Sequence, residues 1–185
     1  MGGSNEKPAH NPAPGSKSNT VSATKEAIGG AAGVALAAMS ITRAQFIHRA
    51  CIANLYVVEA AKIAERRAQR ADVREFAKAM RADHEKMGRE LKSFIGGTNS
   101  PQSPPEELDA VHQTLIDNLH GAANEHFDER YVAQQKIAHQ EAITLFKTYQ
   151  RTGTDDGMRS LIGLALPVLE GHLQMVRRLE QDAHS

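Results

Sequence analysis

The sequence predicts an all-α protein folded as a four-helix bundle, with one short extra helix in its central crossover. Residues of high helix propensity dominate from Thr42 onward, and the β-branched or aromatic runs that favour strands are absent. Apolar residues recur at helical spacing through four long segments. A chain of 185 residues with this pattern suits one domain with a single core.

The N-terminal region, residues 1–41, is predicted to lie outside the bundle domain, which we place at residues 42–182. Residues 1–27 are rich in Gly, Pro, Ser and Asn, and we predict that they are disordered because they bury too little apolar surface. The segment Ile28–Met39 is apolar but shorter than the roughly 20 residues that a membrane-spanning helix needs. It is either the apolar part of an export signal or a flexible linker.

The first long helix is predicted from Thr42 to Arg70. Its core stripe follows helical spacing and comprises Phe46, Ala50, Ala53, Val57, Ala61, Ala64 and Ala68. A second apolar line lies off that stripe and comprises Ile52, Leu55 and Ile63. This second line makes the first helix a candidate surface for homodimer formation.

The second helix is predicted from Asp72 to the glycine pair Gly96-Gly97. Asp72 with Glu75 forms a variant of the capping box, and glycines commonly end helices. The core stripe comprises Val73, Phe76, Met80, His84, Met87, Leu91 and Phe94. We interpret the methionines as core-filling side chains rather than copper ligands, because flexible thioethers commonly fill irregular gaps.

The crossover helix is predicted to begin at Ser103, with Pro104 at its first helical position. A long helix follows over about residues 122–152, and the last helix runs from an N-cap at Thr154 to about Gln181. The stripe of the long helix comprises Phe127, Tyr131, Gln135, Ala138, His139, Ala142, Phe146 and Tyr149. The stripe of the last helix comprises Leu161, Ala165, Val168, His172, Val176 and Leu179.

Three histidines, His84, His139 and His172, fall on the apolar stripes of three different helices. If the crossover joins two antiparallel pairs, these histidines lie at one depth, together with Asn54 and Gln135. An unpaired buried polar group costs about 1–3 kcal/mol, so each imidazole should be hydrogen-bonded or metal-bound. We prefer a hydrogen-bonded layer that fixes helix register; the alternative is a metal site for zinc or copper, which imidazole suits.

Charge and motif content exclude several functions. Lys plus Arg and Asp plus Glu are 22 each, which argues against nucleic-acid binding and against a polybasic membrane surface. No transmembrane helix is predicted, and no nucleophile is paired with a base. The single cysteine, Cys51, is interpreted as a small buried residue. We therefore predict a non-enzymatic protein with no catalytic residues and no organic cofactor.

Several stretches carry a family resemblance over roughly residues 46–180. These are FAKAMRADHEKMGREL, FDERY, AHQEAITLF around His139 and LPVLEGHL around His172. Their order and spacing resemble a bacterial family of unknown function whose members are often labelled predicted outer-membrane or exported proteins. The resemblance implies a ferritin-like bundle, a periplasmic or cell-envelope location and an envelope or stress-associated role; a cytoplasmic location is the alternative. It implies no established activity.

One departure from this family bears on iron. The family often places acids at the positions of Val57 and Glu59, but here the core-facing position is Val57 and the acid lies on the opposite side. Ferritin-like di-iron sites also use Glu-x-x-His, which the chain lacks. Iron is therefore the least favoured of the three metals. A third alternative to the metal site and the polar layer is a helical interaction module.

Overall fold

The computed structural model describes residues 40–97 and 103–183, and these ranges hold five α-helices and no strand. The helices are α1 (Arg43–Arg67), α2 (Ala71–Gly96), α3 (Ala110–His120), α4 (Asn124–Thr152) and α5 (Asp156–Asp182). The all-α prediction is confirmed. The predicted disorder of residues 1–27 and the apolar segment Ile28–Met39 lie outside the described residues.

The four long helices pack as two antiparallel pairs. Short turns join α1 to α2 and α4 to α5. Across the pairs α1 runs antiparallel to α4, because Phe46 contacts Tyr149 whereas Tyr56, further along α1, bonds Gln134 near the start of α4. The connection from α2 to α4 therefore crosses the length of the bundle, and it carries α3, which packs against α1 and α4. This is the predicted crossover.

Two apolar clusters fill the bundle on either side of its middle. The cluster nearer α3 includes Tyr56, Phe76, Phe127, Tyr131, Ile116 and Leu119. The cluster at the opposite end includes Phe46, Leu91, Tyr149, Met158 and Ile162. The predicted stripes of α1, α2 and α4 are largely confirmed, since most of their members are buried and the rest are half-buried. Within the described ranges, none of the helices has the length and apolarity needed to cross a membrane.

The starts of two helices differ from the prediction. The N-cap of α2 is Arg70 rather than Asp72, and the carboxylate of Asp128 on α4 accepts the backbone N–H of Arg70 at 2.7 Å. A residue distant in sequence thus fixes this turn. The helix α3 begins at Ala110, capped by Asp109, and not at Ser103. A residue before proline avoids the helical region, so Pro104, which precedes Pro105, disfavours a helix that begins at Ser103.

The start of α5 and its apolar face also differ from the prediction. Its N-cap is Asp155 rather than Thr154. The predicted stripe residue Val168 is 39% exposed, whereas Leu169 is buried. The buried face of α5 comprises Met158, Ile162, Leu169, His172, Leu173, Val176 and Leu179. Two apolar lines run along the first half of this helix, so periodicity alone did not identify the buried one.

The second apolar line of α1 is not a free surface. Ile52 and Ile63 are each 4% exposed, and Ile63 packs in the cluster that includes Ile116 and Leu119 of α3. The crossover therefore covers part of the line that suggested a homodimer contact. Homodimer formation stays a prediction, but the buried residues Ile52 and Ile63 no longer support it.

Candidate metal centre

The imidazoles of His84, His139 and His172 meet in the middle of the bundle, contributed by α2, α4 and α5. Their ring centroids form a nearly equilateral triangle with sides of 5.4–5.5 Å. One ring nitrogen from each histidine lies within 4.8 Å of the other two. The three residues are 4%, 1% and 4% exposed, so the cluster is closed to bulk solvent.

One nitrogen of each ring bonds an oxygen outside the triangle. Nδ1 of His84 lies 3.1 Å from Oδ1 of Asn54, and Nδ1 of His139 lies 2.8 Å from the backbone oxygen of Gln135. Nε2 of His172 lies 2.9 Å from Oδ2 of Asp83. Each of these oxygens is an acceptor, so each of these nitrogens carries the proton and donates.

The other nitrogen of each ring has no hydrogen-bond partner among the described residues. These are Nε2 of His84, Nε2 of His139 and Nδ1 of His172, all buried. In a neutral imidazole with one protonated nitrogen, the second carries a free lone pair. Metal-ligating histidines typically show this division, with one nitrogen on the ion and the other N–H held by a carboxylate or carbonyl. The predicted polar layer is therefore only half hydrogen-bonded.

The electrostatics keep the three rings in the neutral form. Burial lowers the pKa of His139 to about 4, although the Gln135 carbonyl opposes the shift. Burial, with the other two histidines nearby, places the pKa of His84 well below its ordinary value. Burial also lowers the pKa of His172, although the hydrogen bond that His172 donates to Asp83 and the negative charge of Asp83 oppose the shift. Neutral imidazole is the form that binds metal ions.

A glycine on α2 gives Asn54 the room to hold His84. A Cβ atom at Gly88 would lie 2.7 Å from Nδ2 of Asn54. Gly88 is one turn beyond His84, so the Asn54 amide occupies the space that a larger residue would fill. The observed position of the Asn54 amide therefore depends on glycine at residue 88.

A cavity of about 30 Å³ adjoins the triangle, and its lining includes His84, His139 and Met87. A space of this size can hold one water-sized ligand. The rest of the lining is mostly apolar and includes Val57, which is 3% exposed. Glu59 instead pairs with Lys62 at 2.7 Å. The side chains of α1 thus offer the triangle no carboxylate, as the sequence predicted.

Comparisons with known proteins give a family and a fold. The family model described as a domain of unknown function, DUF4142, matches residues 29–179. The chain belongs to the DUF4142 family. One solved structure, CopM in the Cu(II)-bound form, matches this DUF4142 chain with a TM-score of 0.66 and 18% identity, covering 78% of this chain and 99% of CopM. At that identity the likeness shows a shared fold. No curated protein matches the chain significantly.

The DUF4142 structure brings together all three histidines that the sequence singled out, and Asn54 with them. Gln135 is fully buried at the same level, but its side-chain amide has no hydrogen-bond partner among the described residues. Sequence reasoning missed Asp83 as the partner of His172. Its position next to His84 was visible, but α2 and α5 had to be docked before its role could be seen.

Proposed function

We propose that this DUF4142 protein binds a single transition-metal ion, zinc or copper, through His84, His139 and His172. The observation that carries the proposal is that the two nitrogens of each ring have different surroundings. All three outer nitrogens bond oxygen acceptors, and all three inner nitrogens are buried, unpartnered and close together. A structural polar layer would leave three such groups unsatisfied, at about 1–3 kcal/mol each.

The donor set favours zinc or copper over iron. Three neutral imidazoles suit both metals, whereas non-haem iron sites commonly include carboxylates. Asp83 lies beyond His172 rather than inside the triangle. The shared fold with CopM, a protein solved in a Cu(II)-bound form, is consistent with copper.

The proposal also covers the type of bundle, the absence of a catalytic role and the location of the protein. The crossover between antiparallel helix pairs fits a ferritin-like bundle. We assign no catalytic step, and we place the protein in the cell envelope because of the family resemblance. Fractionation of native cells, followed by N-terminal sequencing of the protein from each fraction, tests export. Recovery of an intact Met1 terminus from the cytosol would refute it.

Metal titration of the purified, chelator-treated protein tests the site itself. We expect one equivalent of zinc or copper to bind, and the melting temperature to rise. An ion at a hundredfold excess over its dissociation constant should add about 2.7 kcal/mol of stability. His84→Leu, His139→Leu and His172→Leu should each abolish this gain. The control His126→Ala, at an exposed histidine of α4, should retain it.

Equal stabilisation of wild type and all three variants would place the ion on surface histidines and refute the proposal. Loss in only one variant would also refute it, because a single site needs all three rings.

A further inference from the structure

The small cavity beside the histidines shares a wall with a larger groove. The groove, of about 380 Å³, lies chiefly between α2 and α5 and includes Asp83, Met87 and Val168 in its lining. Four residues line both the groove and the 30 Å³ cavity, namely Ala50, Asn54, Met87 and Phe146. The cavity beside the triangle therefore lies directly behind this part of the groove.

Among those four residues, Met87 is the one whose side chain offers a metal-ligating atom that is not engaged by His84. Alanine and phenylalanine side chains carry none, and Oδ1 of Asn54 accepts from His84. Met87 follows His84 by three residues on α2, so both side chains lie on one face of the helix. The Met87 side chain, which ends in a thioether, lines the cavity next to His84 and His139.

The ligand chemistry points to a particular ion. Thioether sulfur is a soft ligand that suits Cu(I), whereas zinc sites in proteins take thiolate, imidazole or carboxylate. Charge favours the same choice. Three neutral imidazoles and a thioether carry no charge, and the cost of burying an ion rises with its charge. The nearby carboxylate of Asp83 balances one positive charge rather than two.

We infer that the triangle together with Met87 forms a three-nitrogen, one-sulfur site for Cu(I), reached through the groove between α2 and α5. The inference rests on the proposed metal-binding function and names the ion and its fourth ligand. It involves no redox step, since the site takes up copper already in the Cu(I) state.

A competition titration with Cu(I) tests the inference. Wild type, Met87→Leu and Met80→Leu are titrated anaerobically against the Cu(I) chelator bicinchoninate, with ascorbate present, and separately with Zn²⁺. Leucine for methionine nearly conserves volume, so the fold should survive. Met80 is the matched control, because it lies on the same helix one turn before His84, is 0% exposed and lines neither the groove nor the cavity.

We expect Met87→Leu to weaken Cu(I) binding about tenfold or more, equivalent to about 1.4 kcal/mol. Met80→Leu should match wild type, and neither variant should change Zn²⁺ binding. X-ray absorption of the Cu(I) form should show a sulfur neighbour in wild type and Met80→Leu that is lost in Met87→Leu.

Unchanged Cu(I) affinity in Met87→Leu, or no sulfur neighbour in wild type, would overturn the inference. The proposed function would survive that result if the histidine variants still lost metal. Undiminished metal binding in His139→Leu would instead refute the proposed function itself.

Discussion

Replacing His139 with leucine should stabilise the metal-free protein while abolishing its response to metal. His139 is 1% exposed, and its Nε2 has no partner among the described residues. Removing an unsatisfied buried group recovers about 1–3 kcal/mol, and leucine adds apolar burial in a similar volume. The loss is the bond from Nδ1 to the Gln135 carbonyl, worth about 0.5–1.5 kcal/mol. That carbonyl also accepts a helical N–H, so no new orphan is created.

The free energy of unfolding of the metal-free protein should therefore rise by about 1 kcal/mol in His139→Leu. For a domain of this size, that raises the melting temperature by about 2–4 °C. Chemical denaturation of the chelator-treated protein, with circular dichroism as the readout, measures it. The matched control is Gln134→Leu on the same helix, because Gln134 accepts from Tyr56 at 2.9 Å and donates to Leu115 at 3.2 Å. Removing these satisfied bonds should lower stability. Destabilisation by His139→Leu of about 2 kcal/mol or more would refute the reasoning.

Three further predictions concern pH, Asn54 and the N-terminal region. The native pKa of His139 is about 4 against an ordinary 6.5, so the unfolded chain binds the proton first as pH falls. Through His139 alone the metal-free protein should therefore lose roughly 3 kcal/mol of stability between pH 7 and pH 4. The variant His139→Leu should remove this part of the loss, while the lowered pKa values of His84 and His172 leave a remaining acid destabilisation. Gly88→Ala should displace the Asn54 amide and weaken metal binding in a calorimetric titration, although alanine favours the helix by about 1 kcal/mol. If Gly88→Ala weakened metal binding and also unfolded the protein, the loss of binding could not be attributed to the displaced Asn54 amide, and the prediction would be wrong. Removal of residues 1–38 should leave helicity and melting temperature nearly unchanged, and a large loss of either would show that this region packs on the bundle.

The sequence was sufficient to predict the features that repeat along each helix. Helical spacing predicted the buried faces of α1, α2 and α4, and the depth argument predicted that His84, His139 and His172 would meet. Both inferences depend on one regular period within each helix, which α1, α2 and α4 supply along their length and α5 supplies from His172 onward. The crossover followed from the presence of a long connection between two closely joined pairs.

The features that the sequence did not reveal depend on how helices dock. Asp83 becomes the partner of His172 only when α2 lies against α5, and the role of Gly88 appears only when Asn54 of α1 reaches it. The start of α2 was misplaced because Asp128, distant in sequence, caps that turn. Met87 looked like a core filler until two cavities were seen to share it. The roles of these residues leave no periodic pattern in the sequence, so helical spacing could not predict them.

Anomalous diffraction from crystals of the copper-loaded protein tests the central claim most directly. Data collected at the copper absorption edge should show one peak inside the histidine triangle. We expect it about 2 Å from Nε2 of His84, Nε2 of His139 and Nδ1 of His172. No peak among the three rings, or peaks only at exposed histidines such as His126, would contradict the metal centre.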